Sequence, residues 1–274
     1  MKFADANASA NTNTNANART NAKDLAHDRI WTLVFAVIGA IAGLFVVSYQ
    51  VAMMSPAVVA TLPPQSQLML TGAIQVAVYA ALSAFFGFKL ARRTGLDVPF
   101  DRQLRTVAVA LLTGLVSAFI IVTADKWVFM PLIPALQPPE GVQYTLSPGY
   151  LGMGVLYGGI IEELMMRLFL MSLVVFLLNK LVSVIRRTQQ PDVPTWIYWL
   201  AIGIVALLFA AGHLPATAAM IGLSPMIVLR SFVLNGIAGF LFGLLFWKKG
   251  LTAAMIAHAS THLFNQLVLM PLLF

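Results

Sequence analysis

The chain of 274 residues contains no cysteine. Disulfides, thiolate metal sites, cysteine nucleophiles and palmitoylation are excluded with it, and the redox compartment is left open. Charge is scarce as well. Asp, Glu, Lys and Arg together make up 10% of the residues, against roughly 25% in a soluble domain. A water-exposed globular surface cannot be built from so little charge. There are only 4 histidines, so any imidazole inside an apolar run stands out. No serine sits in an obvious nucleophile setting. What the chain has is 59% hydrophobic residues, arranged in long runs joined by short loops. Its length would allow two soluble domains, but the unbroken succession of runs reads as one membrane-embedded unit.

Residues 1–29 are a polar lead-in. Most of it is Asn, Ala and Thr repeat, such as Asn11-Thr12-Asn13-Thr14-Asn15. That composition buries no apolar area and predicts a disordered tail. It does not read as a signal peptide, because no short apolar core with a small-residue cleavage site follows directly. The first apolar run, Ile30 to Met54, is long enough to span a bilayer. Further spans are expected near 68–90, 105–123, 149–179, 196–213, 226–247 and 251–272. Pro63-Pro64, Pro138-Pro139 and Pro215 mark loops, and 216–225 reads as a re-entrant or interfacial piece. The expected fold is all-α, a polytopic transmembrane bundle of about seven to eight helices. Residues 30–148 supply the N-terminal spans and 149–274 the core that carries chemistry.

The basic residues fall on one side. Fourteen occupy one alternating set of loops, from Lys2 to Lys249, and only Lys126 occupies the other, with Arg167 and Arg230 inside the membrane. This is a positive-inside distribution and predicts a cytoplasmic N-terminus in an integral membrane protein, in the plasma or inner membrane if the host is prokaryotic. The net charge of +7 then faces anionic lipid, and no nucleic-acid partner is expected. Arg230, near the outer end of its span, is expected to snorkel or to cap a loop carbonyl. Gly236, Gly239 and Gly243 read as close helix contacts.

The charged cluster Glu162-Glu163-Leu164-Met165-Met166-Arg167 lies in the middle of an apolar run. Each charge at the centre of a spanning helix costs about 2.5–3.5 kcal/mol on insertion scales, and such residues default to function. Glu163 and Arg167 are four apart and can pair along one helix face. Glu162 points about 100° away and needs another partner, a wet cavity or a proton. His27 reads as solvated. His213, His258 and His262 lie in apolar helices. His258 and His262, four apart, share a stripe with Asn265, and three polar residues on one face of an apolar helix face a bundle interior. At about 1.5 Å of rise per residue the depths of Glu162 and the three imidazoles overlap. Such a set suits activating a water, by general base or on a metal.

The order Glu-Glu-x-x-x-Arg (Glu162, Glu163, Arg167), Phe-x-x-x-His (Phe209, His213) and a late His-rich helix resembles the CAAX prenyl protease and bacteriocin-processing family, also called Abi or CPBP proteins. The resemblance covers roughly 149–272. The third motif is usually His-x-x-x-Asn or His-x-x-x-Asp, and here His262 stands at its last position. The resemblance implies an intramembrane endopeptidase opening to the cytoplasm and acting on a membrane-associated peptide or protein, with no cofactor. It implies that Glu162 activates the attacking water with help from His213. By the same likeness His258 and the residue four later stabilise the oxyanion, while Glu163 and Arg167 support the site; Asn265 could take part from the same stripe.

Three other readings compete. A zinc protease would use Glu162, His213, His258 and His262 as ligands; position 259 is Ala, so the helix lacks the His-Glu-x-x-His pattern. A non-catalytic immunity or scaffold protein would bind a partner in the membrane. A transporter would use the buried Glu and His as a proton relay, but the chain shows no paired repeats.

Overall fold

The computed structural model describes residues 2–99, 102–137, 144–187 and 192–274, with side chains from Lys23 onward. Among the described residues the regular structure is helical throughout, without strands. The main helices are α1 (Lys2–Met53), α2 (Gln65–Thr94), α3 (Leu104–Leu132), α4 (Pro148–Arg186), α5 (Thr195–Gly212), α6 (Leu214–Ile221), α7 (Pro225–Lys249) and α8 (Leu251–Phe264). Six helical stretches are long and apolar enough to cross a membrane: Lys23–Met53, α2, α3, α4, α5 with α6 (Thr195–Ile221), and α7. The run from α8 to Leu273 has the necessary length, but His258, His262, Asn265 and Gln266 lower its hydropathy. Pro138 and Pro139 lie outside the described residues.

Three boundaries differ from the sequence reading. The polar lead-in continues α1 as helix from Lys2, where composition predicts no fixed structure; once a long apolar helix is formed, propagation adds one hydrogen bond per residue fixed and needs no new nucleus. Residues 216–225 do not form a separate piece. Helix α6 resumes directly after His213, with Thr217 N–H donating to His213 O, and Pro215 takes a first-turn position that needs no amide donor. Within α4, Met153–Glu162 and Leu164–Met171 are wound as π-helix. Short π segments collect at functional sites. An apolar run reads the same for α and π winding, and nothing in the sequence marks this one.

Helix α4 is the centre of the bundle. It packs on α1 and α2 on one side and on α5, α7 and α8 on the other. The main core gathers Ile161, Leu164, Leu168, Met171 and Val175 of α4 with Ala80 and Ala84 of α2 and Ile197, Ala201 and Val205 of α5, all buried. A second core joins α3, α7 and α8 through Ala110, Phe242, Leu245, Ala253 and Ala257. Large apolar side chains such as Leu33, Ile74, Leu112, Phe119 and Leu181 face outward, as a lipid-facing surface requires.

Helices start and stop where local chemistry directs. The Ser147 and Ser224 hydroxyls accept the amides of Tyr150 and Ile227 at 3.2 and 3.3 Å, with Pro148 and Pro225 next to them in the first turns of α4 and α7. Gly250, at φ 84°, lets α7 turn at once into α8. Small residues bring helices close: a side chain on Gly159 would meet the Ala259 Cβ at 2.6 Å and its backbone N at 3.0 Å, so α4 and α8 touch through their backbones. Gly239 and Gly243 lie against Phe209 and Ile202, as the sequence reading expects, but Gly236 has nothing within 4 Å of its would-be Cβ and makes no close contact.

Buried polar bonds tie the spans. Asp28, 2% exposed, pairs with Arg92 between α1 and α2. Tyr198 OH donates to Thr94 O at 2.7 Å between α5 and α2. Arg230 neither snorkels nor caps a carbonyl: its Nε and Nη2 donate to both oxygens of Asp125 at 2.6 and 2.5 Å, locking α7 to α3. A partner on another span meets the guanidinium's need for an anion better than a distant interface does. Removing one member of this two-pronged bond costs about 1.5–3 kcal/mol, the range for hydrogen bonds to charged groups. Arg230→Gln is therefore expected to lower the melting temperature in detergent while leaving turnover in the folded fraction intact, as the pair makes no contact with the α4–α8 carboxylate–imidazole cluster; an unchanged melting temperature would refute the lock.

Candidate active site

The two adjacent carboxylates of α4 meet opposite fates. The Glu163 side chain is 0% exposed. Its Oε1 lies 2.9 Å from Arg167 Nη1 and 2.8 Å from His258 Nδ1, and its Oε2 has no hydrogen-bond partner. Arg167, also fully buried, donates from Nη2 to Gly239 O on α7 at 3.0 Å. Its guanidinium packs on the rings of Phe209 and Phe242 at 4.8 and 5.5 Å. A chain of polar contacts thus runs from α7 through Arg167 and Glu163 to His258 of α8. The pairing of Glu163 with Arg167 is the one the four-residue spacing predicts. Its use is different: the pair holds His258, and among the described residues no bond joins it to the Glu162 side chain.

Glu162 is 16% exposed, and its Oε2 stands 3.9 Å from His258 Nε2. It makes no hydrogen bond among the described residues. His258 therefore lies between the two carboxylates, Nδ1 toward Glu163 and Nε2 toward Glu162. With Glu163 paired to a guanidinium and acting as acceptor, the Nδ1–H donates and Nε2 keeps its lone pair. Phe242 stacks on the His258 ring with centroids 4.6 Å apart, and Phe209 meets it edge-on at 5.9 Å. His262 stacks on its other side at 5.2 Å, with the planes 22° apart. The edge of Tyr150 faces His262 at 6.2 Å.

His213 ends α5. Its Nδ1 is 2.8 Å from Phe209 O. A carbonyl only accepts, so the N–H is on Nδ1 and Nε2 is an unprotonated acceptor. The Phe209 ring packs against it at 4.7 Å, so one phenyl ring separates His213 from His258. Among the described residues no hydrogen bond or ion pair joins His213 to Glu162.

The fold thus gathers Glu162, Glu163, Arg167, His258 and His262, with His213 beside them across Phe209. Asn265 opens a π-wound turn, Asn265–Leu269, and its Oδ1 is buried without a hydrogen-bond partner; it contacts neither imidazole of its stripe by hydrogen bond. Sequence reasoning did not find Phe242, Tyr150 or the Gly239 carbonyl. Only the weak cue of Gly239 as a helix contact pointed there. Among the described residues no three His, Asp or Glu side chains are grouped as a metal ion would need.

Residues 145–264 match the family model described as "Type II CAAX prenyl endopeptidase Rce1-like". This segment, less than half of the chain, is similar to that family. Its interval opens just before α4 and closes at Phe264, the last residue of α8. It takes in both carboxylates, Arg167 and all three membrane histidines, and stops one residue before Asn265. The family is one of peptidases, and with six apolar spans the chain is an integral membrane protein with a segment similar to that family. Helices α1–α3 lie outside the matched interval and pack on it closely: a side chain on Gly87 of α2 would meet Leu168 Cγ of α4 at 2.7 Å. Comparison with curated proteins and with solved structures gives no match.

Proposed function

We propose that the chain is an intramembrane endopeptidase of the CAAX-processing type, in which Glu162 activates the attacking water. The observation that carries this reading is the contrast between the neighbours: Glu163 is locked by Arg167 and His258, while Glu162 makes no hydrogen bond among the described residues and is partly exposed beside an imidazole nitrogen. In the proposed step Glu162 takes a proton from water as the oxygen attacks the scissile carbonyl carbon. The tetrahedral oxyanion collapses, the carbon–nitrogen bond breaks, and Glu162 returns the proton to the leaving amine. His213, with a lone pair on Nε2, is suited to orienting that water. His262 makes no hydrogen bond among the described residues, so its ring can adopt the tautomer that donates N–H to the oxyanion. His258 reaches the oxyanion as a donor only when both its nitrogens carry protons. Glu163 and Arg167 position His258. The positive-inside pattern supports a cytoplasmic N-terminus, and the family likeness supports a site open to the cytoplasm.

The family likeness supports a membrane-associated peptide as substrate, and we take as its first candidate a prenylated C-terminal end that places the scissile bond near the bilayer. The test is cleavage of a farnesylated C-terminal peptide by the purified protein in lipid. Cleavage is expected. A folded protein that binds the peptide and releases no product would favour the scaffold reading.

The zinc reading is tested in the same preparation. A structural or catalytic zinc site would bind the ion stoichiometrically and lose activity reversibly in chelator. We expect well under one zinc per chain and no loss in chelator. We also expect His262→Asn to keep a substantial part of the activity, within about tenfold of wild type, since an amide also donates a hydrogen bond to an oxyanion. Stoichiometric zinc, lost together with activity in His262→Asn, would overturn the glutamate mechanism.

A further inference from the structure

Position 262 carries an imidazole where the family pattern has a shorter amide or carboxylate. The larger ring needs room, and the facing stretch of α4 supplies it. A Cβ built on Gly154 would fall 2.7 Å from His262 Cγ and 2.8 Å from its Nδ1. One built on Gly158 would fall 2.7 Å from His262 Nε2 and 3.4 Å from His258 Nε2. The two glycines, four apart on α4, lie against opposite edges of one ring. The contrast with Gly159 is informative. There the nearest atoms are the Cβ and backbone of Ala259, so that glycine serves contact between helices. At Gly154 and Gly158 the three nearest atoms are in each case histidine side-chain atoms. Tyr150 packs beside the same ring, T-shaped with centroids 6.2 Å apart.

We propose that Gly154 and Gly158 are positioning residues that form, with Tyr150, a slot cut for an imidazole at 262, holding His262 Nε2 beside His258 Nε2. The slot rests on the reading of these rings as the reaction centre for its role in turnover, but not for its existence. Both nitrogens approach the single point where a Gly158 side chain would begin. A methyl group there meets ring atoms at less than ordinary contact distance, so the His262 ring must tilt or slide. A misplacement of that size near a reacting carbonyl costs up to about 10²-fold in rate. With Asn at 262 the same methyl meets only His258 Nε2, at 3.4 Å, an ordinary contact distance.

The experiment is a double-mutant cycle on the full chain in lipid: wild type, Gly158→Ala, His262→Asn, and both together, with turnover of a farnesylated peptide and thermal unfolding read for each. Gly158→Ala alone is expected to lower kcat by about tenfold or more, with KM little changed, and to lower the melting temperature. In the His262→Asn background the same change is expected to be near neutral for kcat. There it should leave the melting temperature equal or higher, because Ala is the better helix former once the clash is gone. Gly154→Ala is expected to repeat the pattern from the other edge of the ring. Equal losses in both backgrounds would overturn the slot, and so would a Gly158→Ala effect confined to KM. If no form cleaves the peptide, the endopeptidase reading fails while the thermal arm still decides whether the slot exists.

Discussion

Glu162→Gln is expected to reduce peptide cleavage by on the order of 10²-fold or more while the protein inserts, purifies and unfolds as the wild type does. The amide keeps the shape of the side chain and removes its ability to take a proton from water. Stability is expected to hold because Glu162 contributes little to it. Its side chain is 16% exposed, and His258 Nε2 stands 3.9 Å from it, beyond hydrogen-bond range. The same substitution one residue later would not be so clean. Glu163 is fully buried and bound on two sides, so Glu163→Gln disturbs the placement of His258 as well as the charge of the site. Full activity in Glu162→Gln, measured on folded protein, would remove Glu162 from the mechanism.

Much of this site was legible in the sequence because its signals are local. Charge inside an apolar run marks α4, the four-residue step from Glu163 to Arg167 gives their pairing, and the same step brings His258 and His262 onto one face. Each of these needs only helix geometry. The contacts that define the site's working arrangement are not local. His258 meets Glu163 across 95 positions and Arg167 meets the Gly239 carbonyl across 72. Spacing along one helix carries no information about which carboxylate a distant helix will face. Hence spacing alone sets Glu163 beside Glu162, while the fold places its Oε1 against His258 Nδ1. The π winding of Met153–Glu162 was hidden for another reason. Apolar residues satisfy a membrane span at either pitch, so hydropathy has no preference to report. The slot for His262 lay between the two cases: the departure at 262 was visible and so were the glycines, but only the fold sets them against each other.

Arg167→Ala is expected to destabilise the protein by about 3–5 kcal/mol, the range for breaking a buried ion pair by removing one partner. Three losses coincide. The Glu163 carboxylate, fully buried and with Oε2 already unpartnered, loses its only cation among the described residues. The Gly239 carbonyl loses its donor. The space between the Phe209 and Phe242 rings is vacated, and both rings also pack on His258. Activity in any folded remainder is expected to fall too, since His258 is held by Glu163 and flanked by those rings. The charge and the volume can be separated. In Arg167→Met with Glu163→Gln, a long apolar chain refills the space and no carboxylate is stranded; replacing a buried pair as a whole is often close to neutral. That double variant is expected to recover most of the melting temperature lost in Arg167→Ala. A wild-type melting temperature in Arg167→Ala would show that the pair does not hold this region together. A double variant no more stable than Arg167→Ala would place the loss in the Gly239 bond rather than in the stranded carboxylate.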